Sequence, residues 1–130
     1  SAAVDSAMKR VKSDGGALDY VINNAGYFYE PCEKITDASL NFDEQLKQIN
    51  ICALGPLRIT NALYKAGLLK KADGTAGKVI IITSQAGSAP WRFTQNPEGG
   101  DYGHHMSRAA CNIGGVLLAE ELSPILASSR

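Results

Sequence analysis

Four consecutive β-branched apolar residues, Val79-Ile80-Ile81-Ile82, constrain this chain more than any other stretch. Branching at Cβ suits a pleated strand better than a helix. The run has no polar alternation, so a strand here needs apolar cover on both faces, as in a parallel sheet. Residues 78–83 are therefore read as a strand. Residues 18–22 (Leu-Asp-Tyr-Val-Ile) form a second, shorter run of the same kind, which stops abruptly at Asn23-Asn24-Ala25-Gly26. Between the two lies a long helical pattern in Leu40, Phe42, Leu46, Ile49, Ala53, Leu57 and Leu63, which Ser39 or Asn41 can cap. It is expected to reach roughly to Leu69, with a bend at Gly55-Pro56. Strand, helix and strand make one βαβ unit, which is expected to be right-handed.

The flanks follow. Residues 1–13 read as an amphipathic helix stopped by Asp14-Gly15-Gly16. Residues 27–39 read as a loop with a turn at Glu30-Pro31, and its aromatic trio Tyr27, Phe28 and Tyr29 either packs over the core or lines a pocket. Residues 71–77 are a loop. Residues 85–100, with two prolines, three glycines and Trp91, are another. A last helix starts near Tyr102 and continues from Ala109 through Leu122. The inventory is α/β: one βαβ unit plus flanking helices. Three helices can cover the faces of two strands but not their edges. More sheet is expected from elsewhere: missing chain segments, a second copy, or another protein.

Composition narrows the partners. With 13 basic and 13 acidic residues the formal net charge is zero, so no global field draws nucleic acid or an anionic membrane. No apolar run approaches the roughly 20 residues of a membrane span, and no signal peptide is visible. The three cysteines have neither CxxC nor Cys/His metal spacing, which fits a reducing compartment. These features predict an intracellular protein, soluble or peripheral.

Side chains suited to chemistry gather where the last helix opens, at Asp101-Tyr-Gly-His-His-Met-Ser-Arg108. Ser84 ends the second strand and Asn50 lies midway along the long helix. Adjacent His104 and His105 point about 100° apart on a helix and have no third ligand nearby in sequence, so no metal site is expected. They read as helix residues facing solvent or a partner.

Taken together, Asn23-Asn24-Ala25-Gly26, Asn50, Ile82-Thr83-Ser84 and Ser107-Arg108-Ala109-Ala110-x-Asn112 resemble the short-chain dehydrogenase/reductase family, closest to its branch of small carbonyl reductases with the C-factor-like proteins. The resemblance covers nearly the whole chain and implies a Rossmann-like, doubly wound parallel α/β sheet that binds NAD or NADP, of which residues 1–130 supply one central βαβ unit plus flanking helices. In that family a Tyr-x-x-x-Lys pair on the helix does the proton work: the tyrosine exchanges a proton with the substrate oxygen, and the lysine binds the nicotinamide ribose and lowers the tyrosine pKa. Ser84 would hold the substrate oxygen, Asn50 would support a proton-relay water, and Asn24, Ala25 and Gly26 would touch cofactor.

Two departures weigh against activity. The family's Gly-rich pyrophosphate turn and its last strands have no counterpart in these residues. In the helix, the tyrosine position is His104 and the lysine position is Arg108. Tyr102 cannot substitute: six residues before Arg108, at about 100° per residue, it falls roughly 240° away around the axis. Three functions are compatible with this pattern. The leading one is a catalytically degenerate relative kept as a structural or interaction subunit, with NAD or NADP as its cofactor or with none, and with a place in a larger assembly. The second is an active NAD(P)-dependent carbonyl or alcohol oxidoreductase, with His104 donating the proton and Arg108 binding ribose. The third is a dinucleotide sensor without turnover.

Overall fold

Both apolar runs form strands, and they pair in parallel. A computed structural model describes residues 2–127 and contains β1 (Tyr20–Asn23) and β2 (Lys78–Ile81) in a two-stranded sheet. The register sets Val21 against Val79 and Ile22 against Ile80, and the Ile82 amide donates to the Asn23 carbonyl at 2.9 Å. β1 starts later than the apolar run because the Leu18 amide donates to the Leu68 carbonyl instead of to a strand.

Around the strands lie α1 (Ala2–Ser13), α2 (Phe42–Cys52), α3 (Leu54–Lys65), α4 (Ala89–Gln95) and α5 (Tyr102–Ala127), with a 3-10 turn at Gln85–Gly87. Buried Val21, Leu63, Leu68 and Leu69 form the core, and Met8 and Val11 of α1, Ile59 of α3, Val79 of β2 and Leu126 of α5 pack against it. Burying each such core side chain contributes on the order of 2 kcal/mol. All three helices thus reach the same face of the sheet. Among the described residues nothing covers the other face, where Tyr20, Ile22, Ile80 and Ile82 are exposed. This corrects the expectation that the helices cover both faces. Residues alternate between faces along a strand, so a crossover helix serves one face, and here the flanking helices land beside it.

The long helix is two helices. Asn41 caps α2, its side chain accepting from the Glu44 amide at 3.1 Å, a contact worth about 1 kcal/mol. The break falls at Ala53. Pro56 has no N–H to give the Cys52 carbonyl, and its ring crowds that carbonyl, so the ladder cannot run through. α3 ends three residues before Leu68, where Gly67 turns left-handed (φ 72°). The Gly67 amide then bonds Tyr64 O, and the Leu68 amide bonds Leu63 O, each at 3.0 Å. This closing pattern brings Leu68 onto Leu63 and so into the core.

Two more readings are corrected. Residues 85–100 are not wholly loop, because Pro90 falls in the first turn of α4, where its missing N–H costs nothing. α5 continues past Leu122 through Pro124 to Ala127. By length and composition α5 is also long and apolar enough to cross a membrane, although no unbroken apolar run marks it. In this structure one side of it packs on α2. Gly103, Ser107 and Cys111, four residues apart, are buried there. A Cβ at Gly103 would lie 2.9 Å from the Gln45 Cα, so only glycine allows this approach. That contact sets the rotation of α5 and decides which residues face the strand ends.

Candidate active site at the carboxyl ends of the strands

With Gly103, Ser107 and Cys111 turned to α2, the adjacent row of α5 is His104, Arg108 and Asn112. Asn112 Oδ1 accepts from the Thr83 hydroxyl at 2.7 Å, tying α5 to the end of β2. Arg108 reaches the end of β1: its Nη2 lies 3.0 Å from where a Cβ on Gly26 would be. Gly26 leaves room for this guanidinium. Asn24, Ala25 and Gly26 form an exposed backbone edge beside it. Half-buried Arg108 has an Nε that is shielded from solvent and has no hydrogen-bond partner.

His104 is half-buried, its ring edge-on to Phe28 at 4.9 Å between centroids. Burial holds its pKa below the ordinary histidine value. The Asp101 carboxylate opposes this, while His105, Arg108 and Arg92 add to it. Its Nδ1 is buried without a partner. The ring is therefore a neutral imidazole against an aromatic wall, with little proton to give at neutral pH. Ser107, fully buried, donates from its hydroxyl to the His104 carbonyl at 2.8 Å and stiffens this turn.

Ser84 sits where β2 gives way to the 3-10 turn. Its Oγ accepts from the Ala86 amide at 3.1 Å, so it caps that turn while its own proton remains available. The structure thus brings Ser84, His104, Arg108 and Asn24-Ala25-Gly26 to one end of the sheet. Asn50 does not join them in the same way. It is exposed, and Arg58 Nη1 donates to its carbonyl at 3.2 Å across the break between α2 and α3. Tyr102 opens α5 at the surface, 36% exposed.

The expectation that both histidines face solvent or a partner is corrected. The His105 side chain is 19% exposed, with Nδ1 3.0 Å from the Ala86 carbonyl and Nε2 3.0 Å from Asn96 Nδ2. Sequence periodicity missed this because the partners sit in a segment read as loop. It also missed Phe28 as the wall of His104, although the aromatic trio was visible. Tyr27 packs the other way: its hydroxyl donates to Glu44 Oε2 at 2.5 Å, and Lys47 lies over its ring. Asp101, in a left-handed conformation (φ 51°), is half-buried, and desolvation raises its pKa.

Residues 1–96 match the family model for short chain dehydrogenases. The chain belongs to the short-chain dehydrogenase family. It is 33% identical over 109 residues to the C-signal of Myxococcus xanthus, covering 84% of this chain and 59% of that protein. It is 33% identical over 121 residues to the 1-hydroxy-2-glutathionyl-2-methyl-3-butene dehydrogenase of Rhodococcus sp. (strain AD45), covering 93% and 47%. Among solved structures it resembles the NADPH-bound carbonyl reductase from chicken fatty liver, with TM-score 0.77 and 24% identity over 95% of this chain and 49% of that one. The carbonyl reductase Sniffer of D. melanogaster gives 0.79 and 24% over 94% and 50%. At this identity the two structures establish the fold, a Rossmann-type doubly wound sheet. The chain spans about half the length of the relatives it matches. The family-model match ends before α5, so the His104 and Arg108 positions lie outside it.

The dinucleotide that the family implies can be tested against these residues. Arg108 sets its Nη2 beside the exposed Gly26 edge, a cationic donor of the kind that ribose hydroxyls accept from, while its unpartnered Nε is shielded from solvent. The donor present is of a kind that fits the ribose end.

Proposed function

We propose that this is a catalytically degenerate short-chain dehydrogenase domain, kept as a structural or interaction subunit. The observation that carries the proposal is His104. At the position of the family's proton-donating tyrosine stands an imidazole turned edge-on to Phe28, its pKa depressed by burial. A bound dinucleotide would supply hydride. The proton for the nascent alkoxide must come from the protein, and a neutral imidazole is a poor donor for it. Arg108 keeps the lysine's charge but presents a planar fork instead of a single ammonium. The interaction role rests on the bare sheet face. Tyr20, Ile22, Ile80 and Ile82 form apolar surface that needs covering by polypeptide, in the same chain or another. The test is reduction of aldehydes and ketones by the full-length native protein with NADH and NADPH: no turnover above background is expected.

The Arg108 guanidinium, with Nη2 beside the exposed Gly26 edge, favours a second reading, in which the domain binds dinucleotide without turning it over. Titrating the full-length native protein with NADPH separates the two. Saturable binding that weakens at least 10-fold in Arg108→Ala supports the sensor, because a hydrogen bond from a charged group contributes about 1.5–3 kcal/mol. Absence of binding supports the purely structural role.

A further inference from the structure

The segment 85–96 is attached to the domain in an unusual way. Apolar burial holds it only at Ala86, and α4 has no buried residue. Trp91 and Phe93 are exposed, the latter 83%. Its attachment to α5 must therefore be largely polar or made by backbone. Two of the polar contacts belong to a single ring. His105 Nδ1 is 3.0 Å from the carbonyl of Ala86, at the start of the segment, and Nε2 is 3.0 Å from the side-chain amide of Asn96, at its end.

We infer that His105 is a positioning residue, a latch that closes segment 85–96 onto α5 and through Ala86 fixes the Ser84 hydroxyl. The inference goes beyond the proposed function and holds whether or not the site turns over. A carbonyl can only accept, so Nδ1 carries the ring proton and Nε2 accepts from Asn96. Ala86 is gripped from both sides: its amide donates to Ser84 Oγ at 3.1 Å and its carbonyl accepts from His105. Releasing the ring frees that peptide, and with it the orientation of the hydroxyl. Arg92 Nη2 donates weakly to the Gln85 carbonyl at 3.5 Å within the segment, while its Nη1, 3.5 Å from His105 Nδ1, meets a protonated nitrogen and makes no hydrogen bond there. Its Nε stays buried without an acceptor, a cost that opposes closure. Asp101, 3.9 Å from Nε2, and the Arg92 guanidinium flank the ring with opposite charges, and the neutral His104 ring lies 5.4 Å away.

Amide hydrogen exchange on the full-length native protein tests it, because opening of this segment appears directly in its exchange rates. In His105→Phe, which keeps the bulk and loses both hydrogen bonds, amides of 86–96 exchange at least about 10-fold faster, as the loss of two modest hydrogen bonds predicts. Those of α2, β1 and β2 are unchanged. His105→Asn, whose amide nitrogen takes the place of Nδ1, keeps protection at 86–88 and loses it near 96. The imidazole nitrogen resonances of the native protein report a proton on Nδ1. Unchanged exchange at 86–96 in His105→Phe, equal acceleration through α2 and both strands, loss of protection at 86–88 in His105→Asn, or a proton on Nε2 alone would each overturn the inference.

Discussion

Gly87→Ala lowers unfolding stability by about 3 kcal/mol, at the upper end of what overpacking costs. A Cβ there would lie 2.5 Å from the carbonyl carbon of Arg108, 2.6 Å from its oxygen and 2.6 Å from Asn112 Nδ2. Two of these three atoms are helix backbone and cannot rotate away. The turn must lift off α5, and the Thr83–Asn112 hydrogen bond beside it is disturbed. Denaturant unfolding of the full-length protein measures the loss. Gly114→Ala is the control: a Cβ there meets nothing within 4 Å, and alanine in a helix interior is more favourable than glycine by about 1 kcal/mol. The two alanine substitutions should therefore move stability in opposite directions. Equal small effects would show that the turn does not pack on α5 as described.

The second large effect is a gain. Converting His104→Tyr together with Arg108→Lys in the full-length native protein raises NADPH-dependent carbonyl reduction by at least about 100-fold, the lower bound for a positioned general acid. The reasoning is geometric. Arg108 already stands over Gly26, the Thr83–Asn112 hydrogen bond holds the end of β2 to the same helix, and Ser84 caps the turn that follows. His104 lies one turn before Arg108, where a phenol would share a face with the restored ammonium. That ammonium would lower the phenol pKa by its charge, as the neutral imidazole does not require. Each single replacement should gain less: His104→Tyr alone still faces a planar guanidinium in place of a single ammonium, and Arg108→Lys alone leaves no phenol to give the proton. An inactive double variant that still binds NADPH would show that more than this pair has been lost, with the Asn50 carbonyl held by Arg58 the first place to look.

The strands were legible because β-branched runs admit few alternatives, and the family frame was legible because its motifs keep their order and spacing. Asn41 as a cap and Pro56 as an interruption were also readable, each from a local rule about one N–H. The bare sheet face was not. Nothing in the pattern of Tyr20, Ile22 and Ile80 says on which side the flanking helices land, since both faces of a doubly wound strand are apolar. α4 was hidden for a different reason: its residues bury nothing, so no helical periodicity marks it. The His105 contacts follow from that, because a residue's partners cannot be read from periodicity when they lie in a segment without any. His104 and Arg108 are the opposite case. Their places were proposed from the family resemblance, anchored on Ser107-Arg108-Ala109-Ala110-x-Asn112, and the structure adds the wall of Phe28 and the loss of solvent that depresses the imidazole pKa.

The proposal that the proton-donating pair has been lost is tested most directly by mixing the full-length native protein with NADPH and a reactive aldehyde and following absorbance of the reduced nicotinamide. The account predicts a rate indistinguishable from the protein-free control, and a rise only when Tyr and Lys replace His104 and Arg108. Steady oxidation of NADPH by the native protein, falling about 100-fold or more in His104→Phe, would contradict it and make the imidazole a working acid.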